Sequence, residues 1–173
     1  MPMWRNGRRG RFKIYFCLRR VLVRVRSSAK HMLDMNITND TKCPCSSGEN
    51  YSNCCESFHK GALPSSAVQL MRSRYSAYAY DLPEYIIETT HPLNPGYRHE
   101  QVAWKKEISL FSRASSFKKL EILDSQEKDD TATVTFVAHI SQNGGDASFT
   151  EKSLFKKIDG KWLYHSGQAV GIA

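Results

Sequence analysis

Hydrophobic and polar positions divide the chain into a helical first half and a stranded second half. From Ala67 to Tyr80, Val68, Met71, Tyr75 and Tyr78 recur at steps of three and four, which predicts a helix with Ser65 or Ser66 as its cap and with Arg72 and Arg74 leaving at its sides. Pro83 opens a second predicted helix, PEYIIETTH, which should stop near His91 because Pro92 follows. A third stretch, from about Arg98 to Ser112, carries Val102, Trp104, Ile108 and Phe111. After Ser116 the period shortens from 3.6 to 2. Phe117 to Asp124 reads as a strand, Thr131 to Ser141 alternates cleanly, Ala147 to Ile158 makes a third strand and Lys161 to Ser166 a fourth. Asn143-Gly144 and Asp159-Gly160 supply hairpin turns. Helices followed by four antiparallel strands predict an α+β domain over residues 64–173, with helices packed on one face of a curved sheet.

Ahead of that domain, TKCPCSSGENYSNCC places Cys43, Cys45, Cys54 and Cys55 within thirteen residues. Four thiolates brought to one point hold Zn²⁺ tetrahedrally with every position filled, which makes the site structural. Other readings stay open. Two disulfides from Cys43/Cys45 to Cys54/Cys55 are geometrically conceivable, although adjacent cysteines cannot easily bridge each other. Free or redox-active thiols are the third possibility, without the usual Cys-x-x-Cys spacing. The knuckle is expected over residues 41–58, with Pro44 stiffening its first turn, Ser46 to Gly48 aiming N–H groups at sulfur, and Tyr51 as its one large apolar body. Ser57 to Ser66 is a polar connector.

The net charge of +8 is unevenly spread. Residues 1–30 hold ten of the 25 basic residues and no acid, leaving 15 basic against all 17 acidic residues downstream, a formal −2. The basic tail, residues 1–34, is therefore separate from the folded part. It reads as a nucleic-acid or lipid-binding arm, a targeting presequence, or residues upstream of a start at Met32 or Met35; the last is preferred, and a nucleic-acid partner is expected only if the tail is real. Cys17 in the tail lacks metal partners, no stretch approaches a membrane span, and the cysteine usage suits a cytoplasmic protein.

Two resemblances sharpen this picture. CPCSSGENYSNCC resembles the SEC-C motif, Cys-x-Cys, eight residues, then Cys followed by His or Cys, found at the C-terminus of the SecA translocation ATPase and elsewhere. It implies Cys43, Cys45, Cys54 and Cys55 as ligands of a structural zinc. The helix-then-strand order resembles the cone-shaped fold of the nuclear transport factor two-like superfamily. More narrowly, LMRSRYSAY, TTHP and FKKIDGKWLYHSG, behind the knuckle, resemble the YchJ family over about residues 41 to 168. Some members carry a second knuckle at the C-terminus that this sequence lacks before Ala173.

Function is less legible. No nucleophile elbow, phosphate loop, metalloprotease helix or dinucleotide fingerprint occurs. The first reading is a non-enzymatic zinc-binding adaptor whose knuckle meets a protein partner, the partner class that SEC-C implies. The alternative is an enzyme or small-molecule binder using the cone pocket, with Tyr75 and Trp104 as walls and His91 as acid or base. Each has a plainer account: Tyr75 and Trp104 as core rings, His91 as a helix end bonding a free carbonyl, Arg72 paired with Glu151, and His139 and His165 facing solvent.

Overall fold

The computed structural model describes residues 40–171; the basic tail, its Cys17 and the nucleic-acid question lie outside the described residues. A compact loop comes first, closed by a bridge between Lys42 and Asn50 and a 3₁₀ turn at Tyr51–Asn53, and leads into a single-turn helix α1 (Glu56–His59). Three longer helices follow: α2 (Ala67–Ala79), α3 (Pro83–Glu88) and α4 (Gln101–Ala114). Ser66 caps α2, its hydroxyl accepting from the Gln69 N–H at 3.2 Å. Strands β1 (Ser115–Lys128), β2 (Thr131–Gln142), β3 (Gly145–Asp146), β4 (Phe149–Ile158) and β5 (Lys161–Ala169) form one antiparallel sheet in the order β1-β2-β4-β5, with short β3 on β2. Among the described residues no helix is long and apolar enough to cross a membrane.

The alternation read along β2 is the alternation the fold uses. Ala132, Val134, Phe136, Ala138 and Ile140 are buried, and they pack with Leu120, Phe155 and Trp162 of the neighbouring strands against Leu70, Met71 and Tyr75 of α2 and Phe111 of α4. A second cluster, Ala77, Tyr85, Ile86, Ile87, Trp104 and Ile108, ties the three helices together. Asn143-Gly144 and Asp159-Gly160 turn with both residues at positive φ, 50° and 78°, then 50° and 76°. That is the twist a two-residue hairpin needs.

Three departures from the sequence reading have physical causes. Helix α3 ends at Glu88 because the next residues leave it to run beside β5. The Tyr164 N–H donates to the Thr89 carbonyl at 2.9 Å, and the His91 N–H to the Tyr164 carbonyl at 2.9 Å. β1 outruns its hydrophobic pattern at both ends; at the C-terminal end the exposed residues Asp124 to Lys128 still pair with Thr135 to Thr131 of β2, whose Val134 and Ala132 are in the core. Pattern marks packing, whereas a ladder needs only backbone. Finally, Arg74 does not leave at the side of α2. It is 6% exposed, and its Nη1 donates to the Ile86 carbonyl at 2.9 Å, Thr89 Oγ1 at 2.6 Å and Thr90 Oγ1 at 3.3 Å.

The expected pairing of Arg72 with Glu151 does not form. Arg72 reaches the cysteine loop, while Glu151, 4% exposed, accepts from Ser153 Oγ at 2.7 Å and from the Tyr164 hydroxyl at 3.1 Å. The Arg74 guanidinium lies 4.8 Å above the Tyr164 ring. A Cβ on Gly167 would overlap the Glu151 carboxyl and come within 2.7 Å of the Tyr164 hydroxyl, which is why glycine stands there.

Burial pushes the Glu151 carboxyl above its ordinary value of 4.5, against the pull of Ser153, Tyr164 and the Arg74 charge. The native state then holds that proton more tightly than the unfolded chain. Its contribution to stability is complete below pH 4.5 and is lost as pH rises through the raised native value. Glu151→Gln keeps an acceptor and removes the charge. Urea unfolding across pH should show the wild type losing stability as pH rises from 4.5 toward the raised native value and the variant losing less over that window; parallel curves would refute the assignment.

Candidate metal centre

The sequence between the cysteines folds by local turns. Ser46 and Gly48 take positive φ, 59° and 91°, and the Cys43 N–H donates to the Glu49 carbonyl at 2.9 Å, so the chain doubles back directly after Cys45. The 3₁₀ turn at Tyr51–Asn53 then delivers Cys54 and Cys55 from the opposite side. All four ligand atoms lie within 4.8 Å of one another, with Cys45 Sγ 3.5 Å from Cys54 Sγ and Cys54 Sγ 3.8 Å from Cys55 Sγ. These are not disulfide distances, and the four cysteines are free. A tetrahedral ion bound at about 2.3 Å sets its sulfurs about 3.8 Å apart, so the cluster has the size of a metal site.

Electrostatics point the same way. Hydrogen bonds from Cys43 and Cys55, and more weakly from the Ser47 backbone and side chain, hold the Cys45 thiol far below its ordinary value. The same contacts drive Cys55 upward, and burial, with the nearby Cys45 charge, pushes Cys54 up to about 11. One sulfur ionises at the expense of its neighbours. Ionising all of them together takes a central cation. Two hydroxyls already sit against the sulfurs, Ser47 Oγ at 3.3 Å from Cys54 and Ser76 Oγ at 3.4 Å from Cys43, where each can donate to a thiolate.

The cluster is also fastened to the larger domain. Arg72 of α2 donates to the Cys45 carbonyl at 2.8 Å, and the Leu120 N–H of β1 donates to Ser46 Oγ at 3.1 Å. His59 Nε2 donates to the Ser73 carbonyl at 2.9 Å, which leaves Nδ1 to accept from the Tyr51 hydroxyl at 2.7 Å; burial holds the ring toward its neutral form. Tyr51 packs edge-on against Tyr80, and His59 against Tyr85. Sequence reading missed His59, Arg72 and Ser76 as part of this centre. The available signal was weak: Ser73 and Ser76 stand three residues apart on α2, and only the structure shows both fully buried.

The three candidate pocket residues are not brought together. Tyr75 lines a cavity of about 30 Å³ with Met71, Tyr78, Phe111 and Phe149, and its hydroxyl donates to the His139 carbonyl at 3.3 Å. Trp104 belongs to the helical cluster, with its ring 5.2 Å from that of Tyr97. His91 lies at the β5 edge; its Nδ1 accepts from the Leu93 N–H at 3.0 Å, so the ring does not bond a helix carbonyl as expected. The cavity is of the order of one water molecule, far below the roughly 300 Å³ at which ligand pockets begin.

Comparison with known proteins agrees with this architecture. Residues 66–167 match the family model described as YchJ, middle NTF2-like domain. A UPF0225 protein of Bordetella parapertussis is 38% identical over 130 residues, covering 72% of this chain and 90% of that protein. A UPF0225 protein of Streptomyces coelicolor is 37% identical over 138 residues, covering 73% and 94%. The solution structure of a SEC-C motif containing protein from Rhodopseudomonas palustris is 34% identical with a TM-score of 0.65, covering 76% of this chain and all of that one. The crystal structure of a SEC-C motif containing protein from Psychrobacter arcticus is 26% identical with a TM-score of 0.62, covering 78% and 86%. With four convergent cysteines in front of a matched cone domain, this chain belongs to the YchJ family of SEC-C and NTF2-like proteins.

Proposed function

We propose that this protein is a non-enzymatic, zinc-holding adaptor that presents its knuckle to a protein partner. The observation that carries the reading is the closed sulfur set: four thiols within 4.8 Å of one another leave a tetrahedral ion no open position for a substrate. All-sulfur coordination of small radius favours Zn²⁺ over Mg²⁺ or Ca²⁺, which take oxygen. The cavity beside Tyr75 supports the same conclusion, since about 30 Å³ does not admit a metabolite.

Because α2 and β1 hold one side of the knuckle, the side offered to a partner is the exposed turn Ser47 to Glu49. Elemental analysis is expected to find about one zinc per chain. In affinity capture, Glu49→Arg, which changes the exposed turn and leaves the sulfurs alone, should lose the partner that wild type and Trp104→Phe both retain. Capture lost only in the Trp104 variant, or a small molecule that stabilises wild type and not that variant, would favour the pocket reading instead.

A further inference from the structure

The cone's far edge carries a second cluster that the metal centre does not use. Along β4 and β5 the register runs from Leu154 opposite Ser166 to Phe155 opposite Tyr164, which leaves His165 as the extra residue of a β-bulge. A bulge re-aims the side chain it contains. Here it sets the His165 ring 4.9 Å from the ring of His91, and the Asn94 side chain fixes the bulged backbone by donating to the His165 carbonyl at 2.8 Å. The THPLN segment is thus strapped to β5 from both ends, by the His91 N–H on Tyr164 and by Asn94.

We propose that His91, His165 and Lys156 form a binding site for a small oxyanion, a phosphate or a carboxylate, at the β5 edge of the sheet. The argument is one of unmatched donors. Leu93 donates to His91 Nδ1, so the neutral ring keeps its proton on Nε2, and that N–H has no acceptor among the described residues. His165 Nδ1 is engaged by Ser166 Oγ at 3.2 Å, and its Nε2 likewise has no partner there. Lys156 of β4 forms no ion pair among the described residues.

The charge balance is one-sided as well. Burial first, then Lys156, holds the His91 ring toward neutral; burial, Lys156 and His91 do the same to His165. No carboxylate enters the electrostatics of either ring, from β4, from β5 or from the THPLN segment. Three donors from three segments, with no carboxylate of the described residues acting on them, suit an oxyanion, whose oxygens accept several charge-assisted hydrogen bonds at once. His91 is covered by its neighbours, but His165 and Lys156 are half-exposed, so the open side faces solvent.

The test follows the imidazole resonances by NMR as pH is varied, in sulfate, acetate or chloride at matched ionic strength. Sulfate keeps a constant charge over the range in which histidine titrates. With sulfate or acetate bound, His91 and His165 should each hold a proton about tenfold more tightly than in chloride, and His139, on β2 next to Glu121, should not respond. A larger response to sulfate points to a phosphate-class ligand, and a larger response to acetate to a carboxylate. Lys156→Ala is expected to weaken sulfate binding by about tenfold, the worth of one charge-assisted bond. Lys156 is on the surface side of β4, so the variant should fold. Sulfate and acetate titrations that coincide with chloride, or a full sulfate response in Lys156→Ala, would overturn the site.

Discussion

Cys45→Ser should release the metal ion and unfold the knuckle, the largest single effect expected of any substitution in this chain. Cys45 is fully buried, at the centre of the cluster and 3.5 Å from Cys54, and its carbonyl takes the bond from Arg72. Structural zinc contributes of order 10 kcal/mol to the fold it organises, because no preformed site exists in the unfolded chain. Within the loop itself Tyr51 is the only large buried side chain besides the cysteines, so the bonds to Arg72, Leu120 and Ser73 hold it only while the cluster keeps its shape. Metal content should fall from about one ion per chain to near zero, and amides from Cys43 to His59 should lose protection from hydrogen exchange. The loss would extend into α2, where Ser73 and Ser76 are covered by the knuckle. Chelating the wild type should reproduce the exchange pattern. Unchanged metal content and unchanged protection would sink both the centre and the adaptor built on it.

Arg74→Met should be the most damaging change outside the knuckle. The arginine hangs from α2 and joins it to the end of α3 through Nη1, whose two N–H groups are shared among three acceptors. Methionine fills much of the volume and makes none of these bonds; the Thr89 and Thr90 hydroxyls still donate to the Tyr85 and Ile86 carbonyls, but the donor that ties α2 to these groups is gone and Glu151 loses the Arg74 charge that favours its ionised form. Losing one partner of a buried polar network costs about 3–5 kcal/mol. In a chain of this length that lowers the thermal midpoint by roughly 10 °C. The deficit should widen as pH rises and Glu151 is forced toward its charged form, and Glu151→Gln should relieve part of it. A midpoint within a degree or two of wild type would show that Arg74 is dispensable.

The four cysteines were readable because a metal site built from one short loop leaves its whole ligand set in one short stretch. Strand β2 was readable for a related reason: one face meets the core and the other does not, so burial writes itself as a period of two. His59, Arg72 and Ser76 were not readable, since each acts across a packing contact between segments that local pattern does not connect. Arg74 illustrates the same limit from the other side. Charge and position mark it as a surface residue, and only the carbonyl and hydroxyls at the end of α3 make burial tolerable.

What the sequence determined by itself, then, was local: the α+β order, the knuckle with its four closely spaced cysteines, and the hairpins set by residues that tolerate positive φ. Tertiary structure decided which distant groups meet. It separated Tyr75, Trp104 and His91, left a cavity of about 30 Å³ beside Tyr75, fastened the knuckle to α2 and β1, and placed a bulge at His165 so that two histidines 74 residues apart face each other. The physical reason is range. Backbone preference and amphipathic period act over a few residues, whereas contacts across the sheet are selected by the global packing minimum, which no short stretch encodes.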